Sequence, residues 1–158
     1  STGKGSSAAS DVYKRQVPDN ASFMADQDGT LSQVVDGNPS TVWTSYGFSS
    51  AQFGSLIPGF GIAVQLQDPA KVSEVTVDQQ GGTGGSFTVY TSDSPSLDGA
   101  TEAGKGTFDA AQTTVRLNEQ ASSKTARYVI VFVDSAPRLS QPIGGYPYGL
   151  RLGEISVR

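Results

Sequence analysis

Apolar residues recur at every second position along much of this chain. Successive side chains of a β-strand point to opposite faces of a sheet, so each alternating stretch predicts a strand with one buried face. Residues 128–133 are apolar almost throughout and predict a central strand covered on both faces. The alternating stretches are residues 62–66, 75–77, 87–91, 113–117 and 150–157.

Glycine and proline clusters separate these strands, and only residues 21–35 could hold a short helix. Regularly spaced strands with such turns predict an all-β fold, a jelly-roll β-sandwich of about eight strands. The glycine run at 81–85 lies between two predicted strands and is not followed by the Lys-Ser/Thr of a phosphate loop. It therefore predicts a hairpin loop, and Gly104-Lys105-Gly106 predicts a second turn.

Composition excludes several classes of function. The 158 residues include no histidine and no cysteine, so neither a Ser-His nor a Cys-His catalytic site can be built, and a noncatalytic domain is expected. The formal net charge of −4 argues against nucleic acid as a partner. No apolar run is long enough to span a bilayer, so direct membrane insertion of this segment is not expected.

The first sixteen residues differ in kind from the rest. Residues 6–16 read as the in-frame translation of a transposase adapter that is used to build sequencing libraries. Residues 1–16 are therefore predicted to be a disordered, adapter-derived artefact, and the domain to comprise residues 17–158. The same interpretation expects an upstream part of the parent chain to be missing.

Residues 36–43, Asp-Gly-Asn-Pro-Ser-Thr-Val-Trp, combine a carboxylate, a bend, a hydroxyl and the only tryptophan. Gly37 permits a positive φ and Asn38-Pro39 enforces the bend, which places hard oxygen ligands suited to calcium around it. Glu154 lies in a strand-like segment far along the chain. The alternative is an Asx turn at Asp36, a strand starting at Thr41, and a solvent-facing Glu154.

Two long segments, residues 46–61 and 135–149, are too aromatic to be plain turns. Their rings could stack on a sugar or on an apolar patch of a partner, or they could plug the end of the sandwich. We expect five of them to cluster at one end as a ligand surface: Tyr46, Phe48, Phe53, Tyr146 and Tyr148.

The corner at residues 36–43 together with Glu154 resembles the discoidin (factor V/VIII type C, galactose-binding-like) family, and the resemblance covers Phe23 to Arg158. It implies a jelly roll whose chain ends meet, so that Asp36 and Glu154 become neighbours. It further implies a structural Ca²⁺ held by both carboxylates, by Thr41 through its hydroxyl or carbonyl, and by Asn38 mainly through its backbone oxygen.

A narrower resemblance rests on residues 43–46, 53–56 and 58–66. These segments look like the C-terminal ectodomain of actinobacterial membrane proteins of murein synthesis, the MviN-type flippases fused to pseudokinases. This implies a binding or sensing domain on the extracellular face of the membrane or in the cell wall, with a transmembrane region upstream. Its partner would be a cell-wall glycan or an envelope protein. The alternatives are a carbohydrate-binding module of a secreted glycoside hydrolase and a structural spacer.

Overall fold

The computed structural model describes residues 8–158, and within them twelve strands form three antiparallel sheets. The largest sheet has five strands, with the central strand where the apolar run predicted it. Their order across the sheet is β1 (Ala9–Gln16), β3 (Phe60–Lys71), β9 (Thr125–Ser135), β6 (Ser86–Ser92) and β7 (Thr101–Thr107).

Two smaller sheets complete the structure. The four-stranded sheet has the order β2 (Trp43–Thr44), β12 (Arg151–Val157), β4 (Glu74–Gln79) and β8 (Gln112–Arg116). The three-stranded sheet has the order β11 (Tyr146–Tyr148), β10 (Arg138–Ile143) and β5 (Gly82–Thr83). The helical segments are two 3₁₀ helices, Ala25–Val35 and Phe53–Ser55, and helix α1 (Glu119–Ser122).

The core lies between the five-stranded and four-stranded sheets. Val75 and Val77 are buried on β4 while their neighbours on the strand are less buried, as period-two alternation requires. Trp43 is fully buried, packs against Phe60, and donates its indole N–H to the carbonyl oxygen of Gln27 at 3.0 Å. The predicted jelly-roll β-sandwich is confirmed, and Trp43 belongs to its core.

The predictions of a hairpin loop and a turn at two glycine-rich segments were wrong. Residues 81–85 do not form a hairpin loop, because β4 and β6 belong to different sheets and the chain crosses between them, with β5 pairing to β10 on the way. Gly104-Lys105-Gly106 lies within β7. A Cβ at Gly106 would come within 2.5 Å of the Phe87 ring, so this glycine makes room for a core side chain and marks no turn.

The segment at 135–149 is also more regular than a loop. It forms the hairpin of β10 and β11, which are joined by the two-residue turn Gly144-Gly145. The count of strands therefore exceeds the expected eight.

The start of the chain requires a correction. Ala9–Gln16 is a strand that pairs antiparallel with β3, from Ala9 opposite Leu66 to Gln16 opposite Gly61. The Arg15 side chain is buried, forms an ion pair with Asp28 at 2.7 Å, and donates hydrogen bonds to the carbonyl oxygens of Phe23 and Ala21.

The prediction of disorder is thus wrong for Ala9–Gln16, because the edge of β3 offers backbone groups that this segment satisfies. The first seven residues lie outside the described part of the chain. The adapter origin of residues 1–16 stays a prediction. No helix among residues 8–158 is long and apolar enough to cross a membrane.

Candidate metal corner and ligand surface

The corner at residues 36–41 is brought to β12 by a close backbone approach. The 3₁₀ helix ends at Val35, Asp36 follows it, and Gly37 turns the chain with a φ of 80°. A Cβ on Gly153 would lie 2.5 Å from the carbonyl oxygen of Pro39, so only glycine allows β12 to pass this close. The result is that Glu154 lies beside Gly37.

Glu154 is a buried carboxyl with one satisfied oxygen. Its Oε2 accepts the N–H of Gly37 at 3.0 Å, while Oε1 is buried and accepts no hydrogen bond from a described residue. Burial raises the pKa of Glu154 to about 7, and the charge of Asp36 together with a hydrogen bond from protonated Glu154 to the Asp36 carboxylate adds to the shift. The alternative of a solvent-facing Glu154 is therefore wrong.

Asp36 lies at the exposed mouth of the same corner. The Thr41 hydroxyl donates to its Oδ2 at 2.5 Å and the N–H of Asn38 donates to its Oδ1 at 2.9 Å. The Thr41 hydrogen bond lowers the pKa of Asp36. An Asx turn is thus present, as the alternative interpretation proposed, together with a buried Glu154.

The neutral oxygens of the corner converge on Thr41. The backbone oxygen of Asn38 lies 2.9 Å from the Thr41 hydroxyl, while the Asn38 side-chain oxygen is turned to Ser40, 2.6 Å from its hydroxyl. Backbone oxygen is therefore the atom that Asn38 directs toward Thr41, and its role as a calcium ligand stays a prediction.

The donor set suits a hard cation. Within residues 8–158 no group of three or more His, Cys, Asp or Glu side chains could hold a metal, so two carboxylates must be completed by neutral oxygens. Calcium accepts such mixed oxygen sets, and the partnerless buried Oε1 of Glu154 is an acceptor that a cation would satisfy. The residues fit the ion, whose presence stays a prediction.

The corner forms one end of a groove of about 720 Å³ on the outer face of the four-stranded sheet. Glu74 and Asp78 also line it, and among residues 8–158 Arg158 is the one cationic side chain in its lining. Arg158 lies 3.4 Å from Glu74. The groove is therefore strongly acidic.

The two aromatic segments contact each other at a different place on the molecule. Phe48 and Tyr148 form a backbone bridge. The N–H of Phe48 donates to the carbonyl oxygen of Tyr148 at 2.7 Å, and the N–H of Tyr148 donates to the carbonyl oxygen of Phe48 at 3.1 Å. We call the region formed by β10, β11 and the turn between them the hairpin end.

Two of the five predicted ligand-surface rings are core residues, which corrects their assignment. Phe48 is 2 % exposed and Phe53 is 1 % exposed, and their rings meet edge to face at 5.2 Å between centroids. Phe53 has a φ of 59°, a backbone conformation that is uncommon for a bulky residue and persists where packing over-determines it. These rings form a plug beneath the hairpin end, as the alternative interpretation expected.

The tyrosines are placed differently. Tyr46 is half-buried, packs its ring edge on Phe23, and donates its hydroxyl to Asp26. That hydrogen bond raises the pKa of Tyr46. Tyr148 is half-buried, whereas Tyr146 is 52 % exposed. Tyr146 is therefore the ring most available to a ligand.

Two arginines at the hairpin end were not singled out from the sequence. The Arg138 guanidinium lies 5.6 Å from the centroid of the Tyr148 ring, and Arg151 donates to the carbonyl oxygen of Gln141 at 2.8 Å. The contact between Arg138 and Tyr148 depends on the shifted register of β10 and β11, in which Arg138 pairs with Tyr148 and Ile143 with Tyr146. No local sequence signal reveals that register.

Solved carbohydrate-binding modules have a similar fold. Chitosan-binding module 1 of a chitosanase/glucanase from Paenibacillus sp. IK-5 superposes with a TM-score of 0.65 at 21 % identity, over 98 % of this chain and 99 % of that one. A CBM32 module of AlyQ, solved with 4,5-unsaturated mannuronic acid, gives 0.60 at 17 % identity over 95 % and 97 %.

A third similar structure is CBM32-3 from a family 31 glycoside hydrolase of Clostridium perfringens, with a TM-score of 0.61 at 13 % identity over 93 % and 88 % of the two chains. Neither a protein-family model nor a curated protein matches the sequence. The structural likeness establishes the discoidin-like, galactose-binding-like β-sandwich as the fold of this chain.

Proposed function

We propose that this chain is a noncatalytic carbohydrate-binding module of an extracellular protein, and that it binds glycan at the hairpin end. The observation that carries the proposal is the half-exposed ring of Tyr146, displayed on a two-stranded hairpin above a packed aromatic plug. A planar ring on a rigid support supplies contact area to a sugar at low entropic cost.

The similar structures support this choice among the interpretations. They are modules described as binding chitosan or as CBM32 domains of carbohydrate-active enzymes. They favour the module of a secreted glycoside hydrolase over the ectodomain of a murein-synthesis flippase, which they do not support. An extracellular location belongs to the same proposal. A spacer would need no exposed ring at this place.

The hairpin end is preorganised for binding. The backbone bridge between Phe48 and Tyr148 joins the two aromatic segments, and the buried Phe53 ring packs against both Phe48 and Phe60. A ligand would therefore meet side chains whose backbone is already fixed, which reduces the entropy lost on binding.

The carboxylate corner would have a structural role. The carboxylates of Asp36 and Glu154, the Thr41 oxygen and the backbone oxygen of Asn38 would hold a calcium ion. When bound, calcium supplies positive charge that compensates the buried Glu154 carboxylate. Since Asp36 and Glu154 are 118 positions apart in the sequence, a bound ion would link β12 to the segment that follows the 3₁₀ helix Ala25–Val35.

Glycan screening followed by titration calorimetry tests the binding proposal. We expect the domain to bind at least one glycan, Tyr146→Ala to weaken binding by about tenfold, and Tyr146→Phe to retain most of it. Tyr90→Ala, which removes a half-buried tyrosine from β6 in the five-stranded sheet, is the matched control. Absence of glycan binding across the screen would favour the spacer, and binding that is insensitive to Tyr146→Ala would place the surface elsewhere.

A further inference from the structure

The hairpin end concentrates positive charge on an acidic protein. The chain has 15 acidic and 11 basic residues, yet Arg138 lies in the hairpin end and Arg151, on β12, is hydrogen-bonded to it. The ion pairs within residues 8–158 join Arg15 to Asp28, Lys105 to Glu102 and Arg158 to Glu74. Neither hairpin arginine is paired with a carboxylate there.

Arg138 is held in place without being neutralised. Its guanidinium lies over the Tyr148 ring, a cation–π contact, and its Nη1 is 3.4 Å from the Tyr148 hydroxyl. Both contacts use the aromatic ring as a support. Arg138 is exposed, and the remaining N–H groups of its planar fork keep their capacity to bind an anion.

Arg151 is fixed by a different element. It lies on β12, half-buried, and its Nη1 donates to the carbonyl oxygen of Gln141 on β10. This hydrogen bond connects the four-stranded sheet to the hairpin and again leaves the positive charge without a counterion. Two fixed cations therefore flank the hairpin from two sheets.

The ring and the cation are neighbours on the hairpin. Tyr146 and Tyr148 are two residues apart in β11, which is about 7 Å along a strand. Since Arg138 lies over Tyr148, its guanidinium and the exposed Tyr146 ring are close enough for one oligosaccharide to contact both. A ligand that covers Tyr146 with an apolar surface can present a charged group to Arg138.

We infer that the hairpin end recognises an acidic saccharide, with the carboxylate of a uronic acid residue paired to Arg138 and the sugar ring lying on Tyr146. This inference rests on the proposed function and names its ligand class. A carboxylate matches the guanidinium fork with two parallel hydrogen bonds. The acidic groove on the four-stranded sheet would repel the same ligand, so the hairpin end is where an anionic chain could approach.

The test compares saccharides that differ only in charge. Titration calorimetry uses oligogalacturonate, oligoglucuronate and oligomannuronate of equal length, each beside its methyl ester, together with a sulfated galactan oligosaccharide. We expect at least one uronate to bind about tenfold or more tightly than its ester, since hydrogen bonds to charged groups are the stronger ones. The preference should fall as salt is raised.

Variants locate the preference. Arg138→Gln should abolish the difference between uronate and ester, and Arg138→Lys should retain part of it, because lysine keeps the charge without the fork. Arg116→Gln is the matched control, because Arg116 is far from the hairpin end. Arg116 lies on β8 opposite Glu74, the first residue of β4. The last residue of β4, Gln79, is the one that contacts β5, which pairs with β10. Thermal melts of all variants check that each remains folded.

The outcomes separate the two proposals. Esters that bind as tightly as uronates, with Tyr146→Ala still impairing both, would overturn the acidic ligand and leave the carbohydrate-binding function standing. Sulfated galactan bound more tightly than every uronate would overturn the carboxylate as the recognised group. No binding of any saccharide would remove the proposed function itself. Equal losses in Arg138→Gln and Arg116→Gln would show nonspecific charge attraction and overturn the assigned pairing.

Discussion

The carboxylate corner and the hairpin end both depend on contacts between distant segments, Gly37 with Glu154 and Phe48 with Tyr148, yet they expose their polar groups to different degrees. At the corner, the Glu154 carboxyl is buried beneath residues 36–41, 6 % exposed, with an oxygen that accepts no hydrogen bond from a described residue. At the hairpin end the aromatic plug is buried, while Tyr146 and Arg138 face solvent. Buried polar groups hold a structure together, and exposed rings and cations are available to a ligand.

Their electrostatics differ in the same sense. Glu74 and Asp78 surround the corner and its groove with further negative charge. A cation at the corner would lower that repulsion, whereas an anion at the hairpin end would meet two arginines. The difference assigns stability to one region and recognition to the other, and each of the following experiments can break that assignment.

The largest effect is expected from deletion of residues 1–16. The deletion removes the strand β1 and the Arg15 pairing to Asp28, which lies in the 3₁₀ helix that leads to the corner. Several backbone hydrogen bonds at about 1 kcal/mol each, one partly buried ion pair and the lost hydrogen bonds of Arg15 suggest a loss of about 5 kcal/mol in unfolding free energy. Chemical denaturation measures it.

The deletion also tests the origin of the segment. A structural β1 predicts that the shortened chain is less stable and binds calcium more weakly. An unchanged denaturation midpoint would show that Ala9–Gln16 contributes nothing to the fold, as the adapter interpretation expects.

A smaller loss is expected from the plug beneath the hairpin end. Phe53→Ala removes a ring that is 1 % exposed and should lower the unfolding free energy by about 3–5 kcal/mol. Tyr146→Ala, at an exposed position of the same region, should change it by less than about 0.5 kcal/mol while impairing glycan binding. If Tyr146→Ala were as destabilising as Phe53→Ala, its ring would be structural and the recognition surface would be lost.

The corner should make stability depend on pH in the absence of calcium. The pKa of Glu154 rises from 4.5 to about 7 on folding, so the folded state holds a proton that the unfolded state has released. The unfolding free energy should therefore fall by about 3 kcal/mol as pH rises through this window. Asp36 does not change the unfolding free energy in this pH range. Its pKa is lowered from the ordinary 3.8, so its contribution is lost only as pH falls below that pKa.

Calcium should reverse that loss. At a calcium concentration of about 100 times the dissociation constant, the expected gain at neutral or higher pH is about 2.7 kcal/mol, and it should vanish at low pH where Glu154 is protonated. Melting curves with calcium or chelator measure both dependences. Glu154→Gln should flatten them. Equal calcium stabilisation in Glu154→Gln and in the unaltered chain would move the ion away from the corner.

Much of the fold could be predicted from the sequence because it depends on local alternation. The strands at 62–66, 75–77 and 87–91 were identified by side chains that point to alternate faces, and the apolar run at 128–133 marked the central strand. Arrangements that depend on close approach were not identified. Gly106 within β7 and the crossing at 81–85 are explained by contacts with Phe87 and by pairing with β10.

The candidate sites divide along the same line. The sequence by itself determined which oxygens stand in the corner and which aromatic residues accompany it, because a bend such as Asp36 to Thr41 is encoded in consecutive residues. Only the tertiary structure decided that Glu154 is buried beside Gly37, that Phe48 and Phe53 are plug residues, and that Arg138 lies over Tyr148. The physical reason is that burial and strand register are set by segments far apart in the chain, whose contacts no local pattern records.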